Sequence, residues 1–197
     1  MISIIIPAKN ETKLNNFLKE VLALKGGKEI IVEKRKTRAQ NMNAGAKKAK
    51  GDILLFLHAD TKLPKNAIQL IKKTIKKNKI GAFSIEFNQA NLFLKIIARA
   101  TSLRSRINKI AYGDQAIFVT KELFNQLEGF KDLPFLEDVD FMKRSRKVTK
   151  IKVLKNKVTT SPRRWEKDGM LRRTIKNRII MTLYSLGIHP NTLKKLY

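Results

Sequence analysis

Short runs of β-branched and aliphatic residues alternate, near the start of the chain, with longer segments that have the pattern of helices. The runs at 2–6, 29–32 and 53–57 have the length and composition of buried strands. Between them, apolar residues recur every three or four positions at 14–22, and small residues are frequent at 38–49. This alternation predicts an α/β fold with a mostly parallel central sheet flanked by helices.

One domain is expected for the whole chain. Its 197 residues, 43% of them hydrophobic, are enough for one continuous core, and no linker or repeat interrupts them. The absence of cysteine excludes disulfides, thiolate metal ligands and a cysteine nucleophile. The longest apolar run, 53–57, is far shorter than the ~20 residues of a membrane-spanning helix. Met1 leads directly into the first strand, so we expect no secretory signal and a cytoplasmic location.

Two polar loops are expected at the carboxyl ends of the strands, where parallel sheets bind their ligands. The first strand runs into Pro7 and a loop at 8–11, and the strand at 53–57 runs into His58 and Asp60. The Asp60 carboxylate suits Mg²⁺ or Mn²⁺, which bind oxygen and stabilise charge on phosphate groups. The alternative is that Asp60 caps a helix whose first turn contains Pro64.

An acidic segment lies inside a strongly basic chain. The formal net charge is +27, yet residues 113–140 contain seven acidic residues against two lysines, a net charge of −5. Glu137, Asp138 and Asp140 stand together at the predicted start of a helix. A carboxylate such as Asp138 is suited to take a proton from a hydroxyl group. The alternative is an ordinary acidic helix start, which the helix dipole favours.

The triplet formed by Arg163, Arg164 and Trp165 suits a phosphorylated ligand. Guanidinium groups match the geometry of phosphate, and an indole ring stacks on another ring. The alternative is that Trp165 belongs to the core and that both arginines lie on the surface.

The basic charge admits two other kinds of partner. Nucleic acid would be bound through phosphate contacts, but aromatic residues make up only 7% of the chain and form no stacking platform among the lysines. Nucleic acid is therefore the weakest of the functions considered. Segments 92–106 and 170–197 are predicted to be basic amphipathic helices, which would attach peripherally to an anionic membrane surface.

Six motifs occur in a characteristic order along the chain. They are Pro-Ala-Lys-Asn-Glu after the first strand, Arg-Ala-Gln-Asn-Met-Asn-Ala-Gly-Ala, Gly-Asp-Ile-Leu-Leu-Phe-Leu-His-Ala-Asp-Thr, Gly-Asp-Gln, Glu-Asp-Val-Asp and Arg-Arg-Trp. With them the chain resembles the family-two glycosyltransferases of the GT-A fold over nearly its whole length. It looks closest to a small bacterial branch that carries Phe-Leu-His-Ala-Asp-Thr where relatives have Asp-x-Asp. The resemblance implies a single GT-A-like, Rossmann-like domain with basic C-terminal helices.

This resemblance implies a nucleotide-sugar half at 1–112. The positions that match the family's nucleoside and phosphate contacts are Pro7, Ala8, Asn10, Glu11, Arg38 and Asn43. Asp60 matches the last carboxylate of the metal motif and would bind Mg²⁺ or Mn²⁺. His58 replaces the first carboxylate, which leaves fewer hard oxygen ligands for the ion.

It also implies an acceptor and catalytic-base half at 113–197. The matching positions are Gly113 and Asp114 in the acceptor-side turn, Glu137 and the catalytic base Asp138 in the Glu-Asp pair, and Arg164 and Trp165 in the last motif. Ser161 stands where processive polysaccharide synthases have Gln. The resemblance therefore implies an enzyme that adds a single sugar.

The segment after the second strand departs from the family pattern. Relatives continue with Asp-Gly-x-Ser-x-Asp, a helix and a strand before the Arg-Ala-x-Gln motif, whereas here only residues 34–37 separate Glu33 from Arg38. The Asp that contacts uracil in relatives is absent. Either Glu33 replaces it, or the base is bound differently, or the chain no longer turns over.

The function expected from the sequence is an inverting, metal-dependent transfer of a sugar from a nucleotide-sugar donor. The acceptor would be a hydroxyl group, for example on a lipid-linked or other membrane-associated glycan. The main alternative is a catalytically inactive GT-A relative that acts as a binding module at membrane surfaces.

Overall fold

The computed structural model describes residues 1–8 and 14–196; Asn10, Glu11 and the side chain of Arg164 lie outside what it describes. The strands are β1 (Ile2–Pro7), β2 (Lys28–Glu33), β3 (Ile53–Phe56), β4 (Thr61–Lys62), β5 (Ile80–Phe87), β6 (Phe118–Thr120) and β7 (Ile151–Thr160). The helices are α1 (Leu14–Leu22), α2 (Arg38–Lys48), α3 (Ala67–Ile75), α4 (Leu92–Asn108), α5 (Lys121–Gln126), α6 (Glu137–Val148), α7 (Arg163–Asp168), α8 (Met170–Ser185) and α9 (Pro190–Leu193). Single 3₁₀ turns occur at Gly113–Gln115 and Lys194–Leu196.

Within the described residues the strands form one seven-stranded sheet in the order β2-β1-β3-β6-β5-β7-β4. Strand β1 pairs in parallel with β2 and β3, and β5 pairs in parallel with β7. Strand β6 is antiparallel to β3 and β5, and β4 is antiparallel to β7. The predicted α/β fold with a mostly parallel sheet is confirmed: among the described strands, β1, β2, β3, β5 and β7 run in one direction, and β4 and β6 run against them. Strand β6 runs back because the chain enters it from the 3₁₀ turn at the carboxyl end of β3.

Alternate residues of the central strands point to opposite faces of the sheet. Ile4 and Leu55 pack with residues of α1, α3 and α4 on one face. Ile5, Leu54 and Phe56 pack with residues of α2, α5 and α6 on the other. Each face is thus buried under its own set of helices, as the uninterrupted apolar composition of β1 and β3 predicts.

Helix α2 lies very close to β1. A Cβ atom on Gly45 would overlap Cγ2 of Ile5, so only glycine allows this approach. The helix begins directly after a four-residue link from β2, and the Thr37 side chain caps it by accepting a hydrogen bond from the backbone N–H of Gln40 at 3.1 Å. This short link fixes the first residue of α2, Arg38, near the end of the sheet where β2 ends.

The sheet is strongly curled between β3 and β4. These strands are four neighbours apart in the sheet, which is about 19 Å at the usual strand spacing. The link from Phe56 to Thr61 spans at most about 17 Å when fully extended, and it contains a turn in which Thr61 N–H donates to the carbonyl of His58 at 3.0 Å. The curl brings the polar segment after β3 to the end of β7, where Thr61 pairs with Thr160.

The chain ends in three helices after β7. Ile180 of α8 and Leu193 of α9 form a small apolar cluster with Phe135, and Met181 and Tyr184 of α8 pack against the second core. Helix α8 is thereby fixed beside the first turn of α6. No helix in residues 1–8 and 14–196 combines the length and hydrophobicity needed to cross a bilayer.

Candidate active site

A cleft open to solvent lies at the ends of β3 and β7. It is bounded by the segments after these strands, by the first turn of α6, and by one face of α8. The charged and polar residues that line it include Arg38, His58, Asp60, Tyr112, Asp114, Asp138, Thr160, Ser161, Arg163, Arg173 and Asn177. Phe135, Leu136, Trp165, Ile180 and Met181 supply apolar surface. Such a mixture of apolar walls and a few convergent polar groups is typical of small-molecule sites.

Asp60 occupies the exposed turn between β3 and β4. Its Oδ1 accepts a hydrogen bond from Thr61 Oγ1 at the long distance of 3.4 Å. Thr61 Oγ1 also lies 3.3 Å from Thr160 Oγ1, so the Asp60 turn is held against the segment that leads to Trp165. Helix α3 has Asn66 at its N-cap position, so the alternative that Asp60 caps this helix is wrong.

Asp138 lies in the first turn of α6 with its carboxylate held by backbone N–H groups. Its Oδ2 accepts a hydrogen bond from Gly113 at 2.6 Å, and its Oδ1 accepts one from Val139 at 2.7 Å. The side chain is 8% exposed, and that exposure is toward the cleft. Acidic residues in a first helical turn are also favoured by the helix dipole, so the location fits both interpretations of the sequence.

Gly113 separates two ionisable side chains of the cleft. A Cβ atom on Gly113 would lie 2.8 Å from the imidazole of His58 and 3.1 Å from Oδ2 of Asp138. The imidazole and the carboxylate therefore both reach the same small space over the backbone of Gly113. His58 is thus a neighbour of Asp138, the predicted base.

Glu137 has a different role from Asp138. Its side chain is only 1% exposed and forms a bidentate ion pair with Arg38, in which Nε donates to Oε1 and Nη2 donates to Oε2 at 3.1 Å. Burial, and next the charge of Asp138, raises the pKa of Glu137, while Arg38 opposes this shift. Glu137 does not line the cleft; the ion pair joins the first turns of α2 and α6 and so fixes the position of Asp138.

Tyr112 provides a neutral hydroxyl group at the side of the cleft. Burial raises the pKa of its phenol, and the guanidinium of Arg104 lies over its ring at 4.0 Å from the centroid. The phenol therefore stays protonated at neutral pH and can donate a hydrogen bond to a bound ligand.

Trp165 and Arg173 face the cleft from the C-terminal helices. The indole packs on Phe87, with ring centroids 4.9 Å apart, and its Nε1 is buried without an acceptor among the described residues. Trp165 is therefore both part of the core edge and part of the cleft. Arg173 is 5% exposed, and its Nη1 donates to Asp168 Oδ2 at 3.1 Å.

The sequence profile described as "Glycosyl transferase family 2" matches residues 24–123, just over half of the chain. The chain belongs to glycosyl transferase family 2. The match includes the β3 segment with Asp60 and ends before α6, so it covers the predicted metal position but not Asp138.

Solved structures with the same fold as this family-2 chain include two bound to nucleotides. S. aureus TarS, residues 1–349, in complex with UDP is 17% identical, with a TM-score of 0.62, and the match covers 82% of this chain and 61% of that one. The mannosyltransferase PcManGT from Pyrobaculum calidifontis, in complex with GDP-Man and Mn²⁺, is 14% identical with a TM-score of 0.66, covering 81% and 56%. The chain thus spans about 60% of the TarS structure, and the GT-A fold expected from its motifs is confirmed. A comparison with curated protein sequences found no match.

Four predicted nucleotide-contact positions of the family-2 chain lie away from the lining of the cleft. Pro7 ends β1 and Ala8 follows it, both beside Glu33. The Glu33 carboxylate forms ion pairs with Lys48 at 2.5 Å and Arg35 at 3.6 Å. The Asn43 amide exchanges two hydrogen bonds with the backbone of Phe130, at 2.7 and 3.0 Å, and so ties α2 to the loop before α6. The Asn43 amide therefore has a structural contact, and its contact with a nucleotide stays a prediction. The positions of Asn10 and Glu11 are not described.

Helix α8 contributes cleft residues that sequence reasoning missed. Arg173, Asn177, Ile180 and Met181 line the cleft from one face of this helix. The signal was present, because these residues recur at three- and four-residue steps. It was hidden by Arg172 and Lys176, which make the segment look like a continuous basic surface.

Proposed function

We propose that this family-2 chain transfers a sugar from a nucleoside-diphosphate sugar to an acceptor hydroxyl, with inversion at the anomeric carbon. The observation that carries the proposal is that Asp60 and Asp138, far apart in the sequence, line the same cleft. One carboxylate can serve the diphosphate of the donor while the other serves the acceptor. The solved complexes of TarS with UDP and of PcManGT with GDP-Man support a donor of this chemical class.

Asp138 is the proposed general base. The backbone N–H groups of Gly113 and Val139 orient its carboxylate and leave further oxygen lone pairs for a proton. Asp138 takes the proton of the acceptor hydroxyl while the acceptor oxygen bonds to the anomeric carbon and the bond from that carbon to the diphosphate oxygen breaks. Because attack and departure occur on opposite sides of the carbon, one such step inverts its configuration. Glu137 acts in this scheme as a positioning residue through Arg38.

Asp60 fits a divalent cation that is held mainly by the donor. Among residues 1–8 and 14–196, no three His, Asp or Glu side chains gather as a ligand set, and Mg²⁺ or Mn²⁺ at phosphate sites needs only one or two carboxylates beside the phosphate oxygens. The Asp60 carboxylate is exposed, with only the long contact to Thr61, so its oxygens are accessible. A bound ion would neutralise charge on the departing diphosphate.

The diphosphate is proposed to lie between Asp60 and the C-terminal helices. Arg163 and Arg173 bring positive charge to this side of the cleft, which Trp165 also lines. The matching Arg164 is adjacent in sequence. Ser161, in place of the Gln of processive synthases, also lines the cleft, which supports transfer of a single sugar.

The nucleoside is proposed to lie at the ends of β1 and β2. Ala8 N–H donates to the carbonyl of Glu33 at 3.0 Å, so Pro7, Ala8 and Glu33 form one edge of the proposed nucleoside site. Asn10 and Glu11, which follow in the sequence, are proposed to contribute to the same site. This assignment divides the chain at about residue 112 into a nucleotide-sugar half and an acceptor half. We also propose that the protein acts in the cytoplasm, as predicted from the sequence.

A second candidate function is that of an inactive relative that binds ligand or membrane without turnover. It is favoured by Glu33, the substitute for the missing uracil-contacting Asp, because its carboxylate is already paired with Lys48 and Arg35. The two candidates differ in whether donor is consumed.

The test is the release of nucleoside diphosphate from UDP-, GDP- and dTDP-sugars with Mn²⁺ and a bacterial membrane-lipid extract as the source of acceptor. We expect one donor class to release diphosphate with the parent chain and not with Asp138→Asn. Donor binding without release by either protein would support the inactive relative. No binding and no release would contradict both.

A further inference from the structure

Helix α4 exposes four large apolar residues, whereas its fully buried face contains mainly small ones. The buried face carries Leu94, Ala98, Ser102 and Ser105. The exposed face carries Leu92, Ile96, Leu103 and Ile107, with 74, 54, 52 and 67% of each residue accessible. At about 100° per residue these four lie within a sector of roughly 60°. A soluble helix normally has the reverse arrangement, so this face is suited to a second contact.

Helix α8 has the same kind of exposed face. Leu171, Ile175 and Ile179 are 64, 51 and 50% accessible and recur at four-residue steps, and Leu186 just beyond the helix is 76% accessible. The opposite face of α8 carries the cleft residues Arg173 and Asn177. One helix thus separates the cleft from an exposed apolar stripe.

The two helices are neighbours. The Asn91 amide, which caps α4, donates to Sδ of Met170 at the start of α8 at 3.4 Å. Further along, the charge of Arg178 on α8 acts on Arg104 of α4. Both helices therefore begin together and stay within electrostatic range, and we refer to their exposed faces as the α4–α8 surface.

The positive charge of the α4–α8 surface, together with its apolar residues, indicates which kind of partner it binds. Neither helix contains an acidic residue, and Lys95, Arg99, Arg172 and Arg178 are exposed on them. A second copy of this chain would bring like charges together, and nucleic acid would leave the aliphatic side chains without an apolar environment. An anionic lipid surface satisfies both features, because its acyl chains accept the aliphatic side chains and its headgroups pair with the cations.

We propose that the α4–α8 surface docks this protein on anionic lipid bilayers. The docking itself does not depend on catalysis. Docking through α8 places the cleft about one helix diameter, roughly 10 Å, from the headgroups. What this means for the acceptor rests on the proposed function. The acceptor hydroxyl would then belong to a molecule anchored in that membrane.

Vesicle flotation tests the apolar part of the surface. The parent and two double variants, Ile96→Glu/Leu103→Glu and Ile175→Glu/Ile179→Glu, are mixed with phosphatidylcholine vesicles. The vesicles are made with and without about 30 mol% phosphatidylglycerol, so that surface charge dominates in the anionic set. We expect the parent to bind anionic vesicles and each double variant to bind at least about tenfold more weakly. Leu22→Glu, at a 63% accessible position on α1, is the matched control and should bind like the parent.

Charge variants test the electrostatic part. Lys95→Gln/Arg99→Gln should weaken binding to anionic vesicles about 25-fold, since each cation near the surface contributes about fivefold. Lys72→Gln/Lys73→Gln, which removes two exposed lysines from α3, is the matched control. Equal effects of the two charge pairs would show nonspecific attraction by the net charge of +27 and would overturn the proposal.

The absence of cysteine allows a direct measurement of contact. An environment-sensitive dye on Ile96→Cys or Ile175→Cys should shift to the blue with anionic vesicles, while the same dye on Leu22→Cys should not. A parent that does not bind vesicles, or a concentration-dependent dimer abolished by the glutamate variants, would overturn the proposal in favour of a protein partner. Calorimetric donor binding by the glutamate variants is measured in parallel, so that failure of docking is distinguished from failure of the proposed function.

Discussion

The backbone N–H of Gly113 donates a hydrogen bond of 2.6 Å to Oδ2 of Asp138. Gly113 belongs to the 3₁₀ turn before β6, and Asp138 lies in the first turn of α6, so the contact joins two segments that meet only in the folded chain. The same glycine leaves no room for a Cβ atom, which would lie 2.8 Å from His58. The position and orientation of the proposed base therefore depend on a residue without a side chain.

Gly113→Ala is expected to lower the transfer rate by about ten- to a hundredfold, because displacement of the base by a fraction of an ångström impairs alignment with the acceptor. Donor affinity should change less than threefold, since neither Asp60 nor Arg173, the proposed diphosphate contacts, is among the atoms nearest to the added Cβ. Steady-state kinetics and calorimetry measure the two effects. Gly27→Ala is the matched control, because nothing lies within 4 Å of its added Cβ atom. Unchanged kinetics in Gly113→Ala would argue against the assigned geometry.

Asp138→Asn is expected to reduce transfer by about a hundredfold to ten-thousandfold, the range that general bases contribute, while donor binding stays nearly intact. The asparagine can keep one backbone hydrogen bond but cannot take the proton. Asp140→Asn, on the same helix turn, is the control: its carboxylate pairs with Arg144 at 2.7 Å, so the change should lower stability and leave the rate largely unaltered. Equal rates for Asp138→Asn and the parent would refute the base assignment.

Arg38→Met is expected to destabilise the fold by about 3 kcal/mol at neutral pH, because it leaves the buried Glu137 carboxylate without its partner. Glu137→Gln should cost less, since the Arg38 side chain is 29% exposed and water can solvate it. Urea denaturation of both variants measures the loss in free energy of unfolding that each substitution causes. A larger loss in Glu137→Gln than in Arg38→Met would contradict this account of the ion pair.

The stability of Arg38→Met should also depend on pH. Burial already raises the pKa of Glu137 above its unfolded value, and loss of Arg38 raises it further. The folded state then holds the proton more tightly than the unfolded state, so the deficit relative to the parent is smallest below the unfolded pKa. It grows as pH rises through the folded pKa. Urea denaturation at about pH 5 and pH 8 should show the larger deficit at pH 8; a deficit independent of pH would contradict the assigned shift.

Arg173→Lys is expected to weaken donor binding by about tenfold, because a point charge replaces a guanidinium at the proposed diphosphate site. Arg172→Lys, at the preceding exposed position, should bind donor like the parent. Calorimetry gives the affinities, and the melting temperature of each variant shows whether the fold is retained. A normal affinity in a folded Arg173→Lys would remove this residue from the site.

The helices and strands with a clear hydrophobic pattern were predictable from sequence. Ile4 and Ile5 belong to a run too apolar for anything but a buried strand, and the small residues around Gly45 indicated close packing on a sheet. Asp60 could be placed at the carboxyl end of β3 for the same reason. These inferences depend on local patterns, which a single sequence contains.

The contacts that complete the site are not local and were missed. Strand β4 has two residues, too few for a pattern, yet the pairing of Thr61 with Thr160 holds the Asp60 turn against the C-terminal segment. The ion pair of Arg38 with Glu137 joins residues 99 positions apart. The sequence therefore grouped Glu137 with the base Asp138 at one catalytic site, whereas the structure separates Glu137, which is buried and paired with Arg38, from Asp138, which lines the cleft.

The most direct test of the central claim is calorimetric titration of the parent and Asp60→Ala with UDP-, GDP- and dTDP-sugars, in the presence and absence of Mn²⁺. The account predicts that one donor class binds the parent more tightly with Mn²⁺, and that Asp60→Ala loses this dependence on the ion while retaining weak binding. If no nucleotide sugar binds the parent, or if Mn²⁺ strengthens binding equally in Asp60→Ala, the cleft is not the donor site described above.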